Sequence, residues 1–156
     1  MTSIRACVIV PAVFIALAVT LPRTADAQSP APAASLYERL GGLPAISLVV
    51  SDFMDVFLQD PVIMANEAVR QRKTAEAAPY ITYQVTTLVC EATGGPCTYT
   101  GLEMMEAHRG LRVTAEEWDR MVEIFSATLQ RHDVDEAETQ ELFAILGPTR
   151  DEIVGH

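Results

Sequence analysis

From residue 35 onward the apolar positions recur at helical spacing. Ile46, Val49, Val50, Phe53, Val56 and Phe57 share one face of a helix that runs from about Pro44 to Leu58. Ile81, Val85, Leu88, Val89 and Ala92 form a second stripe beginning near Tyr80, and Trp118, Met121, Val122, Phe125 and Leu129 make the longest clean one. A fourth helix is predicted from about Asp135 through Leu142, Phe143, Ile145 and Leu146 to a stop at Gly147-Pro148. Punctuation between these stripes agrees with them. Ser35 with Glu38, Thr100 with Glu103 and Thr114 with Glu117 have the spacing of capping boxes, in which a side-chain oxygen and a backbone N–H satisfy each other reciprocally. Asp60-Pro61 reads as a cap followed by a first-turn proline, and Gly41-Gly42, Gly94-Gly95-Pro96 and Gly110 read as helix ends. The box at Thr100 predicts a helix of little more than two turns carrying Met104, Met105 and His108. Residues 66–78 show no apolar face, and no element is predicted there. Without strand alternation, internal repeat or heptads, the pattern predicts an all-α bundle of four main helices joined by short pieces.

The first 34 residues follow a different logic. A short basic start (1–5), an apolar stretch (6–22) and Ala25-Asp26-Ala27 form the three-part pattern of a secretory signal, with the cut expected after Ala27. An uncleaved anchor is the alternative, although the apolar run is marginal for spanning a bilayer. Residues 28–34 are Pro/Ala-rich and read as a disordered linker, leaving one domain over 35–154. Export to the periplasm is the expectation. The whole chain of 156 residues carries 11 basic and 21 acidic side chains. Cleavage leaves 9 and 20, a net charge of −11 that repels nucleic acid and anionic membrane surfaces. Two cysteines survive it, Cys90 and Cys97, in a compartment that permits disulfides. The glycine stop between them can return the chain to bonding range; a buried Cys90 with an exposed Cys97 is the other arrangement.

Candidate chemistry is sparse. Of three histidines, His156 is terminal and His132 lies in a polar helix end, so both read as solvated. His108 sits four residues after Met104 on a short helix, and the two share a face that can turn inward. CxxC, HExxH and calcium-loop spacings are absent, and so are GxSxG and phosphate-binding glycine loops. A copper site using Cys97, Met104 and His108 lacks a second histidine. One histidine suffices only for a metal that brings its other ligands with it, as haem iron does with four porphyrin nitrogens. The absence of CxxCH excludes covalent c-type attachment. The acidic run 133–141 reads as a solvated helix face.

Residues 35–42 (SLYERLGG) and 93–114 (TGGPCTYTGLEMMEAHRGLRVT), with Asp60-Pro61, Trp118 and the closing residues 142–154, resemble the truncated haemoglobins of group I. The resemblance spans residues 35–154 and implies a two-over-two helical sandwich holding haem b. It implies His108 as the iron ligand, Met104 one turn before it against the porphyrin, and Val113 and Trp118 as proximal contacts. On the distal side it implies Phe53 as a pocket-lining residue and places Ile81, Gln84 and Val85 on the helix facing the iron. Two positions depart from the family pattern. Met54 stands where members often carry a hydrogen-bonding tyrosine, and Ala65-Asn66-Glu67 stand where a phenylalanine commonly wedges the haem. Gln84, or failing it Tyr83, is then the candidate donor to a bound ligand. The implied function is reversible binding of oxygen or nitric oxide, with nitric oxide detoxification supported by a reductase as an extension. A haem-based sensor module and a haem-free thiol module using Cys90 and Cys97 are the competing readings.

Overall fold

The computed structural model describes residues 33–156; the expected signal and most of the linker lie outside the described residues. Helix α1 (Leu36–Arg39) opens on the capping box that Ser35 and Glu38 form. Gly41, at a φ of 86° that only glycine adopts freely, turns the chain into α2 (Gly42–Phe57). Asp60 caps α3 (Pro61–Ala65) by accepting from the amides of Val62 and Ile63, and Asn66 does the same for α4 (Glu67–Arg72) through Ala68 and Val69. Helix α5 (Ala77–Ala92) follows, then α6 (Met104–His108), α7 (Ala115–Arg131), α8 (Glu136–Leu146) and α9 (Arg150–Ile153). The described residues contain no strand, only one isolated bridge between Val113 and Val154.

The long helices pair as the sequence pattern requires. Helix α2 packs against both α5 and α7, and its stripe supplies Ile46, Val50, Phe53 and Met54 to a core closed by Ile63 and Ile124. Leu129 of α7 and Leu142 of α8 meet Leu36 of α1 in a second cluster, with Phe125 edge-on to Phe143 at 5.7 Å. The arrangement is all-α, as the periodicity predicts. Two sequence motifs far apart in the chain are brought together by α1. The amide of Tyr37 donates to the carbonyl of Thr93 at 2.9 Å, and its ring lies so close to Gly95 that an added Cβ would stand 2.5 Å from it. Any side chain at residue 95 would force the two segments apart.

Four local expectations need correction. Residues 66–78 are not featureless: Asn66 caps α4, Val69 packs on the core, and α5 begins at Ala77. Thr100 caps nothing; α6 is a five-residue helix whose N-cap is Glu103, with no side-chain cap bond. Gly147-Pro148 does not end the last helix, because Gly147 keeps right-handed helical geometry and the chain continues through a 3-10 turn into α9. His132 is not solvated: its side chain is 18% exposed and its Nε2 lies 2.8 Å from a carboxylate oxygen of Asp52. Within the acidic run, Glu138 and Glu141 both pair with Arg39, tying α8 to α1.

Candidate functional site

One cavity of about 510 Å³ lies between α5 on one side and α6 with the start of α7 on the other, within the size range of clefts that hold cofactors. Helix α5 presents Tyr80, Ile81, Gln84, Val85 and Leu88 to it, residues three and four apart that form one stripe. Helix α2 contributes Met54 and Phe57, and the floor is made by Met104, His108, Leu111, Val113, Trp118 and Met121. The wall is almost wholly apolar. Its two cationic side chains, Arg72 and Lys73, stand together at the end of α4.

His108 is placed by its own short helix. Its Nδ1 lies 2.8 Å from the carbonyl oxygen of Met104, and since a carbonyl only accepts, Nδ1 holds the proton and donates. Nε2 is left with a free lone pair, the tautomer a metal ligand requires. Burial pushes the imidazole pKa down, the bond to Met104 opposes this, and the nearby Arg72 guanidinium adds to the lowering. The ring is therefore neutral near pH 7. Arg72 also fixes the helix mechanically, donating to the carbonyls of Ala107 at 2.7 Å and Arg109 at 2.8 Å, on either side of His108. These carbonyls belong to the exposed C-terminal end of a helix too short to hold itself. Lys73 reaches the carbonyl of Leu58 and so ties α4 to the end of α2.

Opposite His108 the cavity offers few polar atoms. Nε2 of Gln84 donates to the hydroxyl of Tyr80 at 2.8 Å, while Oε1 of Gln84 is buried without a partner. Tyr99, whose pKa is raised chiefly by burial, also lines the cavity and donates its hydroxyl to the carbonyl of Leu102.

The structure brings most of the sequence candidates to this one place: His108, Met104, Ile81, Val85, Val113, Trp118, Gln84 and Met54 all line the cavity. Phe53 does not. It points into the core between Phe57 and Phe125, with ring centroids 5.5 and 5.4 Å away, because the helical turn of about 100° per residue gives the cavity to Met54 instead. Tyr83 is 59% exposed and off the wall; Tyr80, four residues and about one turn before Gln84, takes the place next to it. Sequence reasoning missed Tyr80, Arg72 and Lys73. Tyr80 could have been found from its spacing of four from Gln84, whereas the two cations lay in a stretch with no periodicity. Cys90 and Cys97 form a disulfide with a Cα–Cα distance of 5.8 Å, away from the cavity wall.

Among the described residues no group of three or more His, Cys, Asp or Glu side chains can hold a metal. A lone imidazole in an apolar cavity with two cations beside it fits a different group: a flat apolar macrocycle that supplies its own equatorial ligands and carries anionic substituents.

Comparisons with known proteins agree with this geometry. Residues 35–154 match the family described as bacterial-like globin. A group 1 truncated hemoglobin of Tetrahymena pyriformis is 29% identical over 121 residues, 78% of this chain and 95% of that protein. The group 1 truncated hemoglobin GlbN of Synechocystis sp. is 32% identical over 119 residues, 72% of this chain and 90% of that one. Among solved structures, the Tetrahymena pyriformis truncated hemoglobin in its Fe(III) form superposes with a TM-score of 0.69 at 28% identity, covering 79% of this chain and all of that one. The 2/2 hemoglobin of Synechococcus sp. PCC 7002, in the cyanomet state with covalently attached heme, gives 0.68 at 27% identity, with the same coverage. With four-fifths of its length matched, an all-helical core and a histidine-floored apolar cavity, the chain belongs to the bacterial-like globins, as a group I truncated haemoglobin.

Proposed function

We propose that this globin holds one non-covalent haem b through Nε2 of His108 and reversibly binds a diatomic ligand, oxygen or nitric oxide, on the α5 side of the cavity. The carrying observation is the Nδ1 bond to Met104, which leaves Nε2 of His108 as the one free imidazole nitrogen on an apolar wall. Arg72 and Lys73 supply positive charge for the two carboxylates of such a cofactor, and Met104, Val113 and Trp118 supply apolar contact for its ring. When bound, the iron supplies an open coordination position. The chain holds the ring, excludes water from it and presents Met54, Ile81, Val85 and Gln84 to the ligand. Dioxygenation of nitric oxide is the enzymatic extension and needs a reductase to restore ferrous iron. Against the thiol-module alternative, Cys90 is fully buried and leaves only the half-buried Cys97 sulfur for an attacking thiol, and the disulfide lies away from the cavity.

Reconstitution with haem tests the reading. His108→Ala loses the intense Soret absorbance or holds haem loosely, while His132→Ala leaves the spectrum unchanged because Asp52, not the cavity, is its partner. Full retention with an unaltered spectrum in His108→Ala refutes the assignment. Export with cleavage after Ala27 is part of the same proposal, supported by the signal pattern of residues 1–27. N-terminal sequencing of periplasmic protein tests it; a chain starting at Met1 in the cytoplasm overturns it.

A further inference from the structure

We propose that Tyr80 is the positioning residue for the Gln84 carboxamide, holding it on the cavity wall in either of two orientations, so that the wall can meet a diatomic ligand with a hydrogen-bond donor or an acceptor. For its ligand the inference rests on the haem reading above; for its geometry it rests on α5 alone. Tyr80 and Gln84 stand four residues apart on α5, both on the cavity wall, joined by a 2.8 Å bond in which Nε2 donates to the phenol oxygen. The other carboxamide atom, Oε1, is buried with no partner. A phenol both accepts and donates, so the carboxamide can turn by half a revolution without losing Tyr80. Oε1 then accepts from the Tyr80 O–H, and the NH₂ group takes the unpartnered place.

Either orientation leaves one buried amide atom wanting a partner, which is costly until a polar ligand supplies it. The neighbouring side chains Met54, Ile81, Val85 and Leu88 offer neither donor nor acceptor of comparable strength. Tyr80 thus lets one glutamine serve ligands of opposite hydrogen-bonding character. A ligand end with negative charge selects the turned state, in which NH₂ faces it. A ligand carrying a proton selects the other.

The test compares wild type, Tyr80→Phe, Gln84→Leu and the double variant. Tyr80 is 60% exposed, so losing one hydroxyl leaves the fold intact. In haem-free protein, the ¹⁵N–¹H signals of the Gln84 side-chain NH₂ are expected to shift in Tyr80→Phe. In haem-loaded ferrous protein with carbon monoxide, Tyr80→Phe should broaden or split the C–O stretching band, as the carboxamide samples both faces. Gln84→Leu should give one band at higher frequency. Dioxygen release should quicken several-fold in either variant, with carbon monoxide release nearly unchanged, and Tyr80→Phe should add nothing in the Gln84→Leu background. Additive effects, or an unchanged band and unchanged amide signals in Tyr80→Phe, overturn the proposal. Failure of the wild type to take up haem sinks the proposed function instead, and the amide signals of haem-free protein still decide the role of Tyr80.

Discussion

Phe53 and Met54 are neighbours in sequence with opposite duties, and exchanging their chemistry separates fold from function. Phe53 is 9% exposed and contacts two aromatic rings, tilted against Phe57 at 5.5 Å and edge-on to Phe125 at 5.4 Å. Phe53→Leu keeps an apolar side chain but removes both ring pairs, each worth about 0.5–1.5 kcal/mol beyond burial, so the expected cost is about 1–3 kcal/mol. For a domain between the ~100- and ~150-residue classes that is roughly 3–15 °C in Tm. Ligand release from the haem-loaded protein should stay within twofold of wild type, since Phe53 does not reach the cavity. Met54→Tyr should do the reverse. It puts a hydroxyl on the cavity wall, and one new hydrogen bond to a dipolar ligand of about 1–3 kcal/mol slows dioxygen release by about ten- to a hundredfold. Urea and thermal unfolding followed by far-ultraviolet circular dichroism give the first quantity, and stopped-flow dioxygen release the second. A Phe53→Leu variant of wild-type stability whose ligand release is altered tenfold would show that Phe53, not Met54, faces the ligand.

Asp60 carries an acid-stability prediction. Its carboxylate, 3% exposed, accepts from Val62, Ile63 and twice from Arg120, and the Arg120 bonds chiefly hold its pKa below the ordinary carboxylate value. A depressed folded-state pKa means that the stabilisation is full above the unfolded value near ~4 and fades as pH falls through the folded value. Asp60→Asn retains the cap and should flatten this acid limb of stability in urea melts between pH 2 and 6; an unchanged limb refutes it. Cys90 and Cys97 close an eight-residue loop, for which the chain-entropy model gives about 2.5 kcal/mol. Reduction or Cys97→Ser should lower the urea midpoint accordingly while haem uptake persists, and two free thiols in protein isolated without reductant refute the bond.

Helical periodicity, the Ser35 and Thr114 capping boxes, the Asp60 cap and the glycine stops at Gly41, Gly94 and Gly110 were readable from local chemistry, because each needs only nearby residues. His108 stood out locally as the histidine one turn after Met104, but its assignment to iron came from the resemblance of the segments around it to group I truncated haemoglobins, not from that spacing. Which of two adjacent side chains faces the cavity was not readable. The stripe containing Phe53 and Met54 is apolar on more than one face, and only the packing of α2 between α5 and α7 assigns one residue to the core and the other to the wall. The same holds for Tyr80 over Tyr83, where the roll of α5 decides. Helix α4 escaped notice because six residues carry too little periodicity to register, yet its Arg72 holds the carbonyls flanking His108 from thirty-five residues away. Such long-range bonds leave no mark on local composition. The sequence by itself determined the long helices, the caps at Ser35, Asp60 and Thr114 and the candidate histidine; the tertiary structure alone decided which faces meet, because burial is settled between elements and not within them.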